Sequence, residues 1–278
     1  MKKLLLLFIL FGVLGVAQNQ RFIYEYKFIP DSTNAAGVKT EMMFLDTSKE
    51  GSKYYSYTVF NSDSAMKVDL EKQLAATGSI NVRSDMQKGA IRYSVTKTYP
   101  DYKIFLHRKL GMDAYNISDD RKINWKIISE KQKIGEWNAQ KAEAAFAGRH
   151  WIAWFSTDIP IQDGPYKFHG LPGLIVKIED KTGSHKMELK GVKNITGQLD
   201  INVFEAREIA INSKQFQKVL KEYENDPMKG IKQMQMGGVT IVMTGKDSNS
   251  SKAVKEQEDR LKNQLRKDNN RIELDLLK

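Results

Sequence analysis

The feature that most constrains this chain is a period-two alternation that recurs through its first two thirds. Between Arg21 and Ile29, the rings of Phe22, Tyr24, Tyr26 and Phe28 alternate with Arg21, Ile23, Glu25 and Lys27. Residues two apart share one face of a strand, so this segment is predicted as a half-buried strand. Thr40 to Asp46 and Lys53 to Phe60 continue in β-branched and aromatic residues, which suit a pleated surface. From Asn61 to Gly78 the pattern changes. Met66, Leu70 and Leu74 recur every four residues and Gly78 stands where a helix would end, which predicts a helix over 63–77. Ala90–Thr98 and Tyr102–His107 return to strand around the turn Tyr99-Pro100-Asp101. Lys122–Ser129 and Glu143–Ser156 also read as strand. Leu174–Glu179 and His185–Val192 are predicted as a hairpin about Lys181-Thr182-Gly183.

The last third turns helical. Ser213 is the predicted N-cap of a helix whose face is Phe216, Val219, Leu220 and Tyr223. Asp226-Pro227 starts a second short helix, Gly237-Gly238 ends it, and Val239–Met243 is predicted as strand. Residues 247–270 are highly charged with few apolar anchors and are expected to form an exposed helix or a loosely docked tail. The fold expected is therefore α+β. A large, curved, mainly antiparallel sheet, open or half-barrel, packs with a few helices. The helices at 63–77 and 213–236 would cover its concave face. Residues 18–246 form one β-rich domain and 247–278 the charged C-terminal helix or tail.

Lys2 and Lys3 precede an apolar run, Leu4 to Val16, that ends in the small residues Gly15-Val16-Ala17. This pattern predicts a secretory signal peptide over residues 1–17, cleaved after Ala17. The run is shorter than the ~20 residues of a spanning helix, and no transmembrane segment is expected after cleavage. Removing Lys2 and Lys3 from 44 basic residues against 34 acidic ones leaves a mature charge of +8. The basic residues are interspersed with acids, so nucleic acid is not an expected partner. The absence of cysteine excludes disulfides, thiolate metal sites, a cysteine nucleophile and a lipidated cysteine.

Residues 151–180 read WIAWFSTDIPIQDGPYKFHGLPGLIVKIED. The run Gly170-Leu171-Pro172-Gly173-Leu174-Ile175, the preceding AWFSTDIPIQDGP, the upstream IGEWNAQKA and the late NNRIEL together resemble the GLPGLI family. The resemblance implies an exported protein of a Gram-negative bacterium. It implies a compartment and an architecture, and no catalytic residues. In physical terms Pro160, Gly164-Pro165 and Pro172-Gly173 are turn formers. Leu171 to Leu174 is predicted as a type II turn that launches the next strand and fixes its register. The same segment could present Trp151, Trp154 and Phe168 to an apolar ligand. Trp151 and Trp154, three apart, point to opposite faces of a regular strand. Neither face of that strand is polar, so each needs a cover.

The four histidines make no metal-ligand spacing. His150, His169 and Asp163 border the motif and are the strongest combination for zinc, yet nothing in their spacing supports it, and no metal or cofactor is expected. No GxSxG elbow exists; Ser156, Asp158 and His150 are close in sequence only. The expected function is a non-enzymatic binding or accessory protein of the envelope. It would be periplasmic, outer-membrane-associated or secreted. It would hold an apolar small molecule or lipid, or dock on an outer-membrane protein partner. The alternatives are a hydrolase or metalloenzyme with a dispersed site, and a structural surface or secreted component.

Overall fold

The computed structural model describes residues 19–79, 88–196, 208–236 and 251–277. The predicted signal peptide, the Gly237-Gly238 stop and the predicted strand Val239–Met243 lie outside them. Twelve strands form one open sheet: β1 (Asn19–Phe28), β2 (Lys39–Thr47), β3 (Gly51–Ser56), β4 (Tyr93–Thr98), β5 (Ile104–Leu110), β6 (Asp113–Asp119), β7 (Lys126–Ile134), β8 (Trp137–Phe146), β9 (Arg149–Ser156), β10 (Leu174–Asp180), β11 (His185–Ile195) and β12 (Ile209–Asn212). The spatial order is β12-β6-β5-β4-β3-β2-β1-β11-β10-β9-β8-β7. β12 lies parallel to β6, and the other neighbours are antiparallel. The described helices are α1 (Tyr57–Thr77), α2 (Ser213–Asn225), α3 (Lys229–Met236) and α4 (Ser251–Lys267), followed by a 3-10 turn at Asp275–Leu277.

The alternation in the sequence becomes the concave face. Phe22, Leu45, Tyr54, Val95, Leu106 and Ile117 stand opposite one another across six strands, and none is more than 3% exposed. Each such burial stabilises by about 1.5–3 kcal/mol. The convex face of β1 and β8–β11 is different. Lys190 pairs with Glu188 at 2.6 Å, Lys177 with Glu179 at 2.9 Å and Lys27 with Glu25 at 3.2 Å, a mixed-charge surface that faces water.

Local chemistry moves several expected boundaries. β3 stops at Ser56, whose hydroxyl accepts from the Val59 N–H as a helix N-cap, so Tyr57–Phe60 enter α1 instead of extending the strand. Gly78 ends α1 in the left-handed region as expected, its N–H bonded to the Leu74 carbonyl. Asn212, not Ser213, caps α2, and Gln215 completes a capping box. The expected strand Glu143–Ser156 divides at Ala147 (φ 55°) and Gly148 (φ 79°) into the hairpin β8–β9. β6 is an additional strand.

The expected covers differ more. α1 has no buried residue, so it does not roof the concave face. α2 buries Phe216 and Leu220 beside β6 and β12. The concave face is covered instead by the loop between β9 and β10 and by Asn270–Glu273, all four of which are buried. In the stretch expected as an exposed helix or a loosely docked tail, 251–267 form α4, and beyond it the chain returns and docks through Asn270–Glu273.

Candidate functional site

The β9–β10 loop, residues 157–173, holds most of the family-like motif, and its residues 163–168 are all buried. Phe168 sits fully buried, its ring 4.7 Å from Trp151 in a T-shaped contact and 5.9 Å from Phe146. Below it β4 delivers Lys97. The side chain is fully buried, and its ammonium donates to the carbonyls of Gly164 (2.7 Å) and Tyr166 (2.9 Å) and pairs with Asp163 at 2.5 Å. Asp163 also accepts from the Gly164 N–H at 2.6 Å and from the Tyr99 hydroxyl. Burial pulls the Lys97 ammonium below its usual range, against the Asp163 charge. A buried charge is tolerated when its hydrogen bonds are met, and here one lysine ties together the Gly164 and Tyr166 carbonyls and the Asp163 carboxylate.

Pro172-Gly173 does not form the expected type II turn. The Gly173 N–H bonds to the Leu171 carbonyl at 2.7 Å, and the Leu174 N–H goes to Ile159 at 3.0 Å. The loop thus closes on its own start, where a four-residue turn would have closed on itself. A Cβ on Gly173 would lie 2.2 Å from the Ser156 carbonyl oxygen, and one on Gly164 would lie 2.8 Å from the Ile175 side chain. Both glycines are needed for close approach. Leu171, Leu174 and Ile175 are buried in the core, whereas Gly170 takes φ 89° in open space. Pro160 follows the Ile159 whose carbonyl receives Leu174. Pro165 supplies the carbonyl bonded by the Phe168 N–H, across Tyr166 at φ 55°.

The C-terminal segment is sewn to this loop. Lys167, buried, pairs with Asp119 at 2.7 Å and Glu273 at 2.5 Å. Arg121 bridges Asp119 (2.6 Å), Glu273 (2.6 Å) and Asp275 (2.7 Å), and the Tyr166 hydroxyl also donates to Glu273. Burial alone would raise Glu273 and Asp119, but the Lys167 and Arg121 charges hold both below the usual carboxylate range. On β9, Arg149 binds Asp180 at 2.9 Å, Asn270 at 2.7 Å and the Arg271 carbonyl. The NNRIEL stretch therefore meets Tyr166 and Lys167, in the loop that leads into the GLPGLI run.

Beside the loop lies a cleft of about 580 Å³ lined by Tyr102, Lys103, Asp120, Lys122, His169 and Gly170 among others. His169 stacks on Tyr102 at 4.9 Å and 13°. Its Nδ1 lies 2.9 Å from the Lys167 carbonyl, an acceptor, so Nδ1 carries the proton and Nε2 is left as an acceptor. Burial holds His169 below the usual imidazole range and pushes Tyr102 up to about 12. The cleft can stack and hydrogen-bond a small polar group.

Of the residues expected to meet a ligand, Trp151 and Phe168 come together, but inside the core. Trp154 projects from the other face, between its cross-strand neighbours Lys141 and Lys177, and is 5% exposed. Lysine stems cover such a ring while their ammoniums stay wet. His150 pairs with Glu143 at 3.4 Å, His169 stacks in the cleft and Asp163 is committed to Lys97, so this trio does not converge. Among the described residues no group of three or more His, Asp or Glu could hold a metal. Lys97, Asp119, Arg121, Lys167 and Glu273 were not singled out by sequence. One signal was present for Lys97: it follows Val95 by two residues, on the apolar phase of its strand.

Fold and site define a protein with one large open sheet whose signature loop is bolted into its own concave face. Residues 148–177 match the family described as "Protein of unknown function (Porph_ging)", which bears out the resemblance read from the motif. No curated protein matches the chain. Among solved structures, PNGF-II in space group P21 is similar over 73% of this chain with a TM-score of 0.52 and 16% identity, and in space group C2 over 70% with a TM-score of 0.49 and 16% identity. The first of these likenesses shows a shared fold. The chain matches about a third of PNGF-II, 33% and 31% in the two forms.

Proposed function

We propose that this protein is an exported accessory module of the bacterial cell envelope that docks on a protein partner, in the periplasm or at the outer membrane. The observation that carries this reading is the closed concave face. A carrier needs an apolar chamber, and here Phe168 and the ion pairs of Lys97 and Lys167 occupy that space. The lipid-holding reading rested on an open Trp154, and Trp154 is buried. Recognition is then left to outward surfaces, and the salt-bridged convex face of β8–β11 is a solvated one. The corner where β2 and β3 meet α1 is more suitable. Phe44, Tyr55, Tyr57 and Phe60 form a chain of ring contacts at 4.8–5.9 Å, Arg21 lies 4.4 Å over Phe44, and Tyr57 and Phe60 are 43% and 40% exposed. Aromatic and arginine side chains dominate interface energetics. A photo-crosslinking residue at Phe60, expressed in the native envelope, should give one discrete protein adduct, absent when the probe sits at Glu188. A fluorescent lipid probe bound at low micromolar concentration, with no adduct, would return the carrier reading. Export itself is tested by N-terminal sequencing, which should find Gln18 first.

A further inference from the structure

On the convex face of β4 and β5, three side chains stand in line. Thr96 Oγ1 is 2.9 Å from His107 Nε2, and His107 Nδ1 is 3.0 Å from the Glu208 carboxylate. The Glu208 oxygens only accept, so Nδ1 carries the imidazole proton. In the neutral imidazole Nε2 then presents its lone pair, and the Thr96 hydroxyl donates to it. That polarity is the one a hydroxyl nucleophile needs: a base already bonded to its proton, held in the correct tautomer by a carboxylate behind it. Cross-strand partners share a face, which sets Lys53 beside Thr96, and Ser94 and Asn116 on either side of His107. Lys53 is buried, with its ammonium 5.8 Å over the Tyr55 ring. The Ser94 hydroxyl and the Asn116 carbonyl oxygen are buried with no hydrogen-bond partner. A polar cluster kept only for stability would have satisfied them, since each unmet buried group costs about 1–3 kcal/mol. Phe105, two residues before His107 on the same face, and Ser118 also line the 580 Å³ cleft, which brings solvent to the edge of the group.

We propose that Thr96, His107 and Glu208 form an acyl-transfer site for small esters, with Thr96 as nucleophile, His107 as general base and Glu208 as the positioning residue. Thr96 Oγ1 bonds to the ester carbonyl carbon while His107 Nε2 takes the hydroxyl proton. The carbon–alkoxy bond then breaks and the alkoxide leaves with that proton as an alcohol. Water attacks the acyl-threonine, its proton passes through Nε2 back to Thr96, and a carboxylic acid departs. No oxidant or metal is required.

This site is independent of the docking reading, and its test does not involve the partner. The full exported chain is treated with a fluorophosphonate probe and with p-nitrophenyl acetate, and the adduct is mapped by peptide mass spectrometry. Labelling at Thr96 is expected, abolished in Thr96→Val and retained in Thr96→Ser. His107→Gln should slow both reactions by about 100-fold or more with circular dichroism unchanged. If the folded wild-type protein takes no label at Thr96, or if His107→Gln labels as fast as wild type, the site is not catalytic. If Thr96→Val fails to fold, the Thr96→Ser and His107→Gln arms still decide.

Discussion

Lys97 illustrates how much a single side chain can organise. Its ammonium has no exposed surface and meets one carboxylate and at least two carbonyls of the same loop. Removing one member of such a pair strands the other. Lys97→Met should therefore cost roughly 3–5 kcal/mol in denaturant unfolding, and adding Asp163→Leu should recover part of that loss. If the single and double variants unfold at the same denaturant concentration, the pair is not coupled. Gly173 makes a different demand. Its Cβ would meet backbone, not a movable side chain, so Gly173→Val should destabilise by about 1–3 kcal/mol, measured as a lowered Tm. Sequence had marked Gly173 as a turn residue for its freedom of φ. The operative constraint is contact with Ser156, which lies 17 residues away and cannot be read from a local dipeptide.

Elements were legible where one period persisted. The β10–β11 hairpin, the β1 strand and the Phe216–Leu220 face of α2 all stand as the alternation or the helical spacing predicted. The motif loop was not legible, because its order comes from charges on other strands: Lys97 on β4, Asp119 on β6 and Arg121 just beyond it. The C-terminal segment misled for a related reason. Residues 247–270 are highly charged with few apolar anchors, so composition predicted an exposed helix or a loosely docked tail there. Yet Asn270 and Glu273 are buried because each meets a specific donor set on the sheet and the loop. The loop and this segment should behave as one unit. Glu273→Gln leaves Lys167 and Arg121 with one fewer buried anion. It should raise hydrogen exchange in residues 163–168 as well as around 273. Exchange that rises only near residue 273 would show that the two segments open separately.

At the scale of the whole molecule, His185 ties the two ends of the chain together. Its ring sits buried between β1 and the returning C-terminal segment: Nε2 is 2.8 Å from the Asn270 carbonyl, and Nδ1 is 2.6 Å from the Tyr26 hydroxyl. The carbonyl only accepts, so Nε2 donates and Nδ1 must receive the Tyr26 proton. A second proton on Nδ1 would force the Tyr26 hydroxyl to turn from donor to acceptor and would place a charge near Arg149. Burial, together with the Arg149 charge, accordingly pushes the imidazole down to about 4, against about 6.5 in an unfolded chain. Between those values the unfolded chain binds a proton that the folded one refuses, so stability rises with pH across the window. The contribution is complete above about 6.5 and is lost as pH falls toward 4, by on the order of 2 kcal/mol at pH 5. Asp119 and Glu273, held low by Lys167 and Arg121, lose their contributions only at lower pH, as it falls through and below the ordinary carboxylate range. Wild-type protein should thus melt about 4–8 °C lower at pH 5 than at pH 7.5. His185→Gln, which cannot be protonated, should start from a lower Tm and show a clearly smaller drop. Equal drops in both proteins would mean that His185 takes up its proton without opening the clamp, and that the joining of β1 to the C-terminal segment does not depend on a neutral imidazole.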